Sequence, residues 1–320
     1  MSKRKNWLLA ATGAAFAAGA CAAVYTTKLL VETALNREQP RVMKHTGGLI
    51  SGGQKEQAFE TAAREASEHL QAQSHEQVTI TGNGGVTLIG HFYPVPSPRR
   101  LIIAFHGWRS SWHYDYGLIS DFWRRQNCSV LYVEQRGQNN SGGDYMGFGL
   151  AERYDCVSWV DWAVCRCGRE VPIYLAGISM GAATVLMAAD LDFPVPVHGI
   201  MADCGFTSPQ AIWKHVARRN LHMSYWLRSR MADWLCERKI GMRAGEHSTV
   251  KALSHTQIPT LLIHGAQDHF VPVEMSYENY RACAAPKRLL IVPYADHAMS
   301  YWVDREAYER AVLEFFQSFD

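Results

Sequence analysis

Short apolar runs separated by helical stretches predict an α/β protein, a mainly parallel eight-stranded sheet with helices on both faces. Three observations carry this. Six runs, Leu101 to Phe105, Val130 to Glu134, Val171 to Ala176, Val197 to Ala202, Thr260 to His264 and Arg288 to Val292, have the length and near-continuous apolar character of strands buried on both faces. The pentapeptide Gly177-Ile178-Ser179-Met180-Gly181 stands between one such run and the helical stretch Ala182 to Ala189. Two later runs end in loops that carry Asp268 and His297.

The elements follow in chain order. Lys3, Arg4 and Lys5 precede Trp7 to Tyr25, nineteen residues without a charge, which is about the length a bilayer-spanning helix requires. Residues 1–28 are therefore expected to be an uncleaved anchor or a signal peptide, with Ala18-Gly19-Ala20 as a candidate cleavage site; a buried soluble helix is the third reading. The positive residues before the run favour a cytoplasmic N-terminus and a catalytic domain outside, anchored or secreted; Lys28, Arg37, Arg41 and Lys44 after it weigh against that orientation. Residues 29–76 read as a linker with Gly47-Gly48 and Gly52-Gly53, then an amphipathic helix with Phe59, Ala62, Ala63, Ala66 and Leu70 at helical spacing. No chemical step calls on the N-terminal helix, so removal of residues 1 to 44 is expected to leave turnover of a small ester intact. From residue 77 to 320 runs the main domain, opening with a hairpin, Val78 to Ile80 and Val86 to Tyr93, joined by Gly82-Asn83-Gly84-Gly85.

Residues 205–258 form a longer interval than the other connections. There Trp213, Tyr225, Trp226 and Trp234 alternate with Arg218, Arg219, Arg228, Arg230 and Arg238. The segment is either a cap over the site or a helical pair on the sheet edge with a solvated basic face.

Bulk properties exclude several classes. A chain of 320 residues holds one large domain and a short appendage, and 32 basic against 30 acidic residues leave no electrostatic footprint for nucleic acid. Eight cysteines are scattered over a core-forming chain and read as small buried hydrophobes; Cys165 and Cys167, two apart on a helix, point in different directions and make a poor metal pair.

The chemistry is legible at the strand ends. A serine between two glycines, at a sharp strand-to-helix turn, is a nucleophile elbow: glycines are needed because bulky neighbours would collide with strand and helix. Ser179 is the candidate nucleophile, and it needs a base because a serine hydroxyl is not ionised near neutral pH. His297 is assigned that role over His106, His264 and His269, of which the first and second belong to structural His-Gly turns. Asp268, in His264-Gly265-Ala266-Gln267-Asp268-His269-Phe270-Val271-Pro272, is assigned to orient the histidine; Asp203 is the alternative acid, and Asp296 is a poor orienter because adjacent residues point apart. Backbone amides of Trp108 and Met180 are the expected oxyanion donors. Trp108, Trp112, Tyr114 and Tyr116 either line an acyl pocket or belong to the core.

The order Ser179, Asp268, His297, with the His106-Gly107 turn upstream, resembles the alpha/beta-hydrolase superfamily over residues 77 to 320. Asp203-Cys204-Gly205-Phe206-Thr207-Ser208, Gln135-Arg136-Gly137 and Ser141-Gly142-Gly143-Asp144-Tyr145 are similar to bacterial membrane-associated serine hydrolases with an N-terminal anchor. The resemblance implies the fold, a Ser-His-Asp machinery and a cap; it implies no metal or organic cofactor and names no substrate. The expected activity is cleavage of a carboxylic ester, with thioester or amide as variants of the same chemistry, acting on a small-molecule acyl substrate. Acyl transfer to another acceptor and a silent, hydrolase-like binding domain are the alternatives.

Overall fold

A computed structural model describes residues 2–38, 54–220, 224–225 and 228–320. Eleven α-helices and eight strands are present among them: α1 (Ser2–Leu35), α2 (Gln54–Ala72), β1 (Glu76–Thr81), β2 (Thr87–Tyr93), β3 (Arg100–Phe105), α3 (Trp112–Arg125), β4 (Cys128–Glu134), α4 (Glu152–Cys167), β5 (Ile173–Ile178), α5 (Met180–Met187), β6 (Val197–Asp203), α6 (Pro209–His215), α7 (Ser229–Ile240), α8 (Thr249–Leu253), β7 (Thr260–Gly265), α9 (Glu274–Ala282), β8 (Lys287–Val292), α10 (Ser300–Val303) and α11 (Arg305–Phe319). A π-helical turn, Val216–Asn220, continues α6.

The strands form one eight-stranded sheet in the order β1-β2-β4-β3-β5-β6-β7-β8. Only β2 runs against its neighbours, pairing antiparallel with β1 (Val78 opposite Gly90) and with β4 (Gly90 opposite Val133); every later pair is parallel. The pleat explains why the central strands are apolar throughout, since alternate residues face opposite layers. On β3, Leu101, Ile103 and Phe105 join a core with Cys156, Trp159 and Val160 of α4 and Val185 and Leu186 of α5. The intervening Ile102 and Ala104 join Tyr116, Ile119, Phe122 and Trp123 of α3 and Val312, Phe315 and Phe316 of α11. A polar residue on β3 would meet a dry layer on either side.

A third cluster joins α1, α5, α6 and α7 with the loop after β4. It holds Val31 and Leu35 of α1, Phe148, Met180, Met187, Phe206, Ile212 of α6 and Leu235 of α7. The aromatic and basic interval thus packs its helices on one face of the nucleophile helix. Trp226 lies outside the described residues.

The N-terminal region departs from expectation in one respect. No helix among the described residues is long and apolar enough to cross a membrane, because the run Trp7 to Tyr25 is rich in alanine, which gains little on leaving water. The helix α1 continues unbroken across residue 28 to Leu35, and Val31 and Leu35 are buried in the third core cluster, where α1 packs along α7. Gly47-Gly48 and Gly52-Gly53 lie outside the described residues. The expected amphipathic helix is α2, which buries Ala63 and Leu70 and packs along α3.

Candidate active site

The elbow is held by two close approaches. A Cβ on Gly181 would sit 1.8 Å from the Phe105 carbonyl oxygen, and one on Gly177 would sit 2.3 Å from that of Gly181. Between them Ser179 takes φ 54° and ψ −113°, a backbone state that L-residues rarely adopt. The surroundings enforce it: the Ser179 amide donates to Asp203 O at 2.9 Å, and Ala183 N–H donates to Ser179 O at 3.0 Å.

Three side chains from three loops meet at this point. The Ser179 hydroxyl lies 2.9 Å from His297 Nε2, and His297 Nδ1 lies 2.7 Å from Asp268 Oδ2. One tautomer satisfies both contacts, with Nδ1–H donating to the carboxylate and Nε2 accepting from the hydroxyl. Asp268 Oδ1 accepts the amides of Phe270 at 2.9 Å and Val271 at 2.7 Å, which fixes the carboxyl plane.

Burial and pairing oppose each other here. Burial would raise the Asp268 carboxyl, but hydrogen bonds from His264 and His297 outweigh it and hold the group well below the usual carboxylate range. For His297 burial favours the neutral ring, yet the Asp268 carboxylate more than compensates and raises its pKa. The pair is thus a histidine of increased basicity beside an ionised acid.

His264 was assigned to a structural turn by sequence; its fully buried ring also reaches Asp268 Oδ2 at 3.1 Å, with Nδ1 2.6 Å from Ser276 Oγ. His106 is a supporting residue: Nδ1–H donates to Gly107 O at 2.8 Å and Nε2 accepts the Gln135 amide at 3.2 Å, while burial lowers its pKa. His269 is exposed and pairs with Asp296. Asp296 Oδ1 accepts the His297 amide at 2.7 Å, so it serves the backbone and not the ring. Asp203 is buried beside the cluster, 3.1 Å from Ser300 Oγ, and burial raises its pKa to about 6.

Sequence reasoning missed Asp115. This half-buried carboxylate, in the first turn of α3, accepts the Gly107 amide at 2.6 Å and the Ser110 hydroxyl at 2.5 Å. Occupying the Gly107 N–H leaves the next amide, that of Trp108, without an acceptor among the described residues; the Met180 amide, first in α5, has none either. An acid one turn into the helix after a His-Gly turn was the available signal.

Of the four aromatics considered for a pocket, Trp112 is core, stacked on His91 with ring centres 4.2 Å apart. Trp108 packs against the cluster of α1, α5 and α7. Tyr114 and Tyr116 do line a cavity of about 190 Å³, together with Phe59, Asp115, Ile178 and His297. Ligand atoms of Cys204, Asp268 and His297 lie within 4.8 Å of one another. As metal donors they are poorly disposed, since the His–Asp pair is already hydrogen-bonded and burial keeps the Cys204 thiol protonated. No two of the eight cysteines are bonded.

Fold and site together define a serine-hydrolase-type alpha/beta hydrolase. Comparison places it more narrowly: the model of the prolyl oligopeptidase family matches residues 112–319, and the chain belongs to that family. Among curated proteins it is 28% identical over 229 residues to the uncharacterized protein YqkD of Bacillus subtilis, covering 70% of this chain and 73% of YqkD. It is 26% identical over 259 residues to the uncharacterized protein YfhR of Escherichia coli K12, covering 77% and 81%. Among solved structures it is similar to the Pyrococcus furiosus esterase Pf2001, with TM-score 0.62 and 24% identity over 77% of this chain and 93% of the other. Est1E of Butyrivibrio proteoclasticus, solved with ferulic acid, superposes with TM-score 0.59 and 19% identity over 76% and 98%.

Proposed function

We propose that the protein hydrolyses small carboxylic esters through an acyl-Ser179 intermediate. The observation that carries this reading is the continuous relay Ser179 Oγ, His297 Nε2, His297 Nδ1, Asp268 Oδ2, with contacts of 2.9 Å and 2.7 Å. In the first half-reaction Ser179 Oγ attacks the ester carbonyl carbon while its proton passes to His297 Nε2. The tetrahedral oxyanion is held by the Trp108 and Met180 amides, the C–O bond breaks, and the imidazolium returns the proton to the departing alcohol. Water then attacks the acyl group with His297 as base, releasing the acid and restoring Ser179. Asp268 stays ionised throughout and stabilises the imidazolium.

An ester is favoured over an amide because the structurally similar Pf2001 is named an esterase, and a compact substrate is favoured by the small cavity beside His297. The test is a series of p-nitrophenyl esters of increasing chain length, alongside matched p-nitroanilides, on wild type and Ser179→Ala, with a fluorophosphonate probe of Ser179. Short esters should be turned over fastest, and Ser179→Ala should lose both labelling and turnover. Labelling that persists in the Ala variant would discard Ser179; faster cleavage of the anilides would make the substrate a peptide-like amide.

A further inference from the structure

We propose that Arg109 is a positioning residue for the oxyanion loop, and that it works by fastening that loop to the C-terminal turn of α1. The inference rests on the reading of Trp108 N–H as an oxyanion donor. Helix ends leave their last carbonyls without intrahelical partners, and two of those of α1, Thr33 O and Ala34 O, are taken up by the loop that carries the donor. Arg109 Nη2 donates to Thr33 O at 2.8 Å and Asn36 O at 2.6 Å, and Nη1 donates to Arg37 O at 3.1 Å. The Trp108 indole N–H donates to Ala34 O at 2.9 Å, and the Met146 amide takes Leu35 O at 2.7 Å. A guanidinium at a helix C-terminus also meets the negative end of the helix dipole.

The loop needs such a fastening. Arg109 itself has φ +53°, a state that persists only where the surroundings over-determine it. Its amide donates to Gln138 Oε1 at 2.5 Å, so backbone and side chain are tied to different segments. The Trp108 amide between these ties points at no acceptor among the described residues, and Gly107, one residue earlier, places its Cα where an added Cβ would lie 3.5 Å from Ser179 Cβ. An oxyanion donor contributes only when it is held in place before the charge develops. Docking of the N-terminal helix thereby becomes a condition for full rate, contrary to the expectation that this segment is dispensable.

The experiment compares full-length wild type, Arg109→Ala, Arg109→Lys and Trp108→Phe by kcat and KM on a short p-nitrophenyl ester, by the pH profile of kcat/KM, and by thermal unfolding. Arg109→Ala should lower kcat about ten- to a hundredfold, at or below the range for loss of one oxyanion donor. KM should change by less than about threefold and the acid limb should not move, because the His297–Asp268 contact is untouched. Arg109→Lys should recover part of the rate. A folded Arg109→Ala protein with kcat within about twofold of wild type overturns the proposal, as does a rate loss accompanied by a shifted acid limb, which would place the defect on His297. If Arg109→Ala does not fold, Trp108→Phe carries the test: it keeps an aromatic ring but loses the bond to Ala34, and an unchanged kcat overturns the proposal. A wild-type chain that neither turns over the ester nor labels with fluorophosphonate overturns the serine-hydrolase reading as well, whereas an active wild type with an unimpaired Arg109→Ala overturns the positioning role alone.

Discussion

Two carboxylates near His297 differ because their partners differ. Asp268 accepts two amides and bonds the imidazole, while Asp203 is buried with one hydroxyl at 3.1 Å and is held neutral up to about pH 6. Asp268→Asn is therefore expected to lower kcat by about a thousand- to ten-thousandfold with the fold retained, since the ring loses its tautomer and its counter-charge. Asp203→Asn should keep kcat within a few fold. Its effect should appear in stability: a carboxyl raised by burial makes the native state weaker as pH climbs from about 4 through 6, because the unfolded chain ionises first. Thermal unfolding at pH 3 and pH 8 should show Asp203→Asn stabilised relative to wild type at pH 8 and little changed at pH 3. A greater loss of kcat in Asp203→Asn than in Asp268→Asn would transfer the orienting role to Asp203.

Elements bring these residues together through contacts that leave no spare volume. Gly181 of α5 lies so close to the Phe105 carbonyl on β3 that Gly181→Ala must push strand and helix apart. A destabilisation of about 3 kcal/mol or more is expected, read by denaturant unfolding; a smaller value would mean that the elbow shifts easily. Leu35, fully buried at the end of α1, tests the other junction. Leu35→Ala should cost about 2–5 kcal/mol, as for other buried leucines, if α1 belongs to the cooperative unit of the domain. An unchanged midpoint would make α1 an independent appendage.

At the scale of the whole molecule, the sheet sets three loops at one edge and the third core cluster closes over the nucleophile helix. The balance of burial and pairing at His297 governs pH behaviour. His297 must be neutral to accept the Ser179 proton, and Asp268 raises its pKa despite burial, so kcat/KM should fall as pH drops through a value above the ordinary 6.5 for histidine. The stabilities have opposite signs: the contribution of raised His297 is complete below 6.5 and is lost as pH rises through its folded pKa, while that of depressed Asp268 is present above about 4 and lost as pH falls. A pH–rate profile of wild type, with its acid limb at or below 6.5, would show that Asp268 does not dominate the histidine in solution.

How far the sequence reached follows from what each feature depends on. Strand positions were legible because a strand buried on both faces must be apolar at every residue, as in Leu101 to Phe105. Ser179, Asp268 and His297 were legible as candidates because an elbow needs glycines on either side and strand-end loops carry side chains to a common edge. Local pattern could not show which groups stand within hydrogen-bond reach across the fold. The Asp115 carboxylate on the Gly107 amide, the second contact of Asp268 with His264, and the fastening of Arg109 to the carbonyls of α1 join residues distant in sequence, and each depends on a backbone placement that only packing decides. The N-terminal run illustrates the same limit. Its lack of charge was plain in the sequence, but the burial of Val31 and Leu35 at its far end depends on the apolar surface that the folded domain offers.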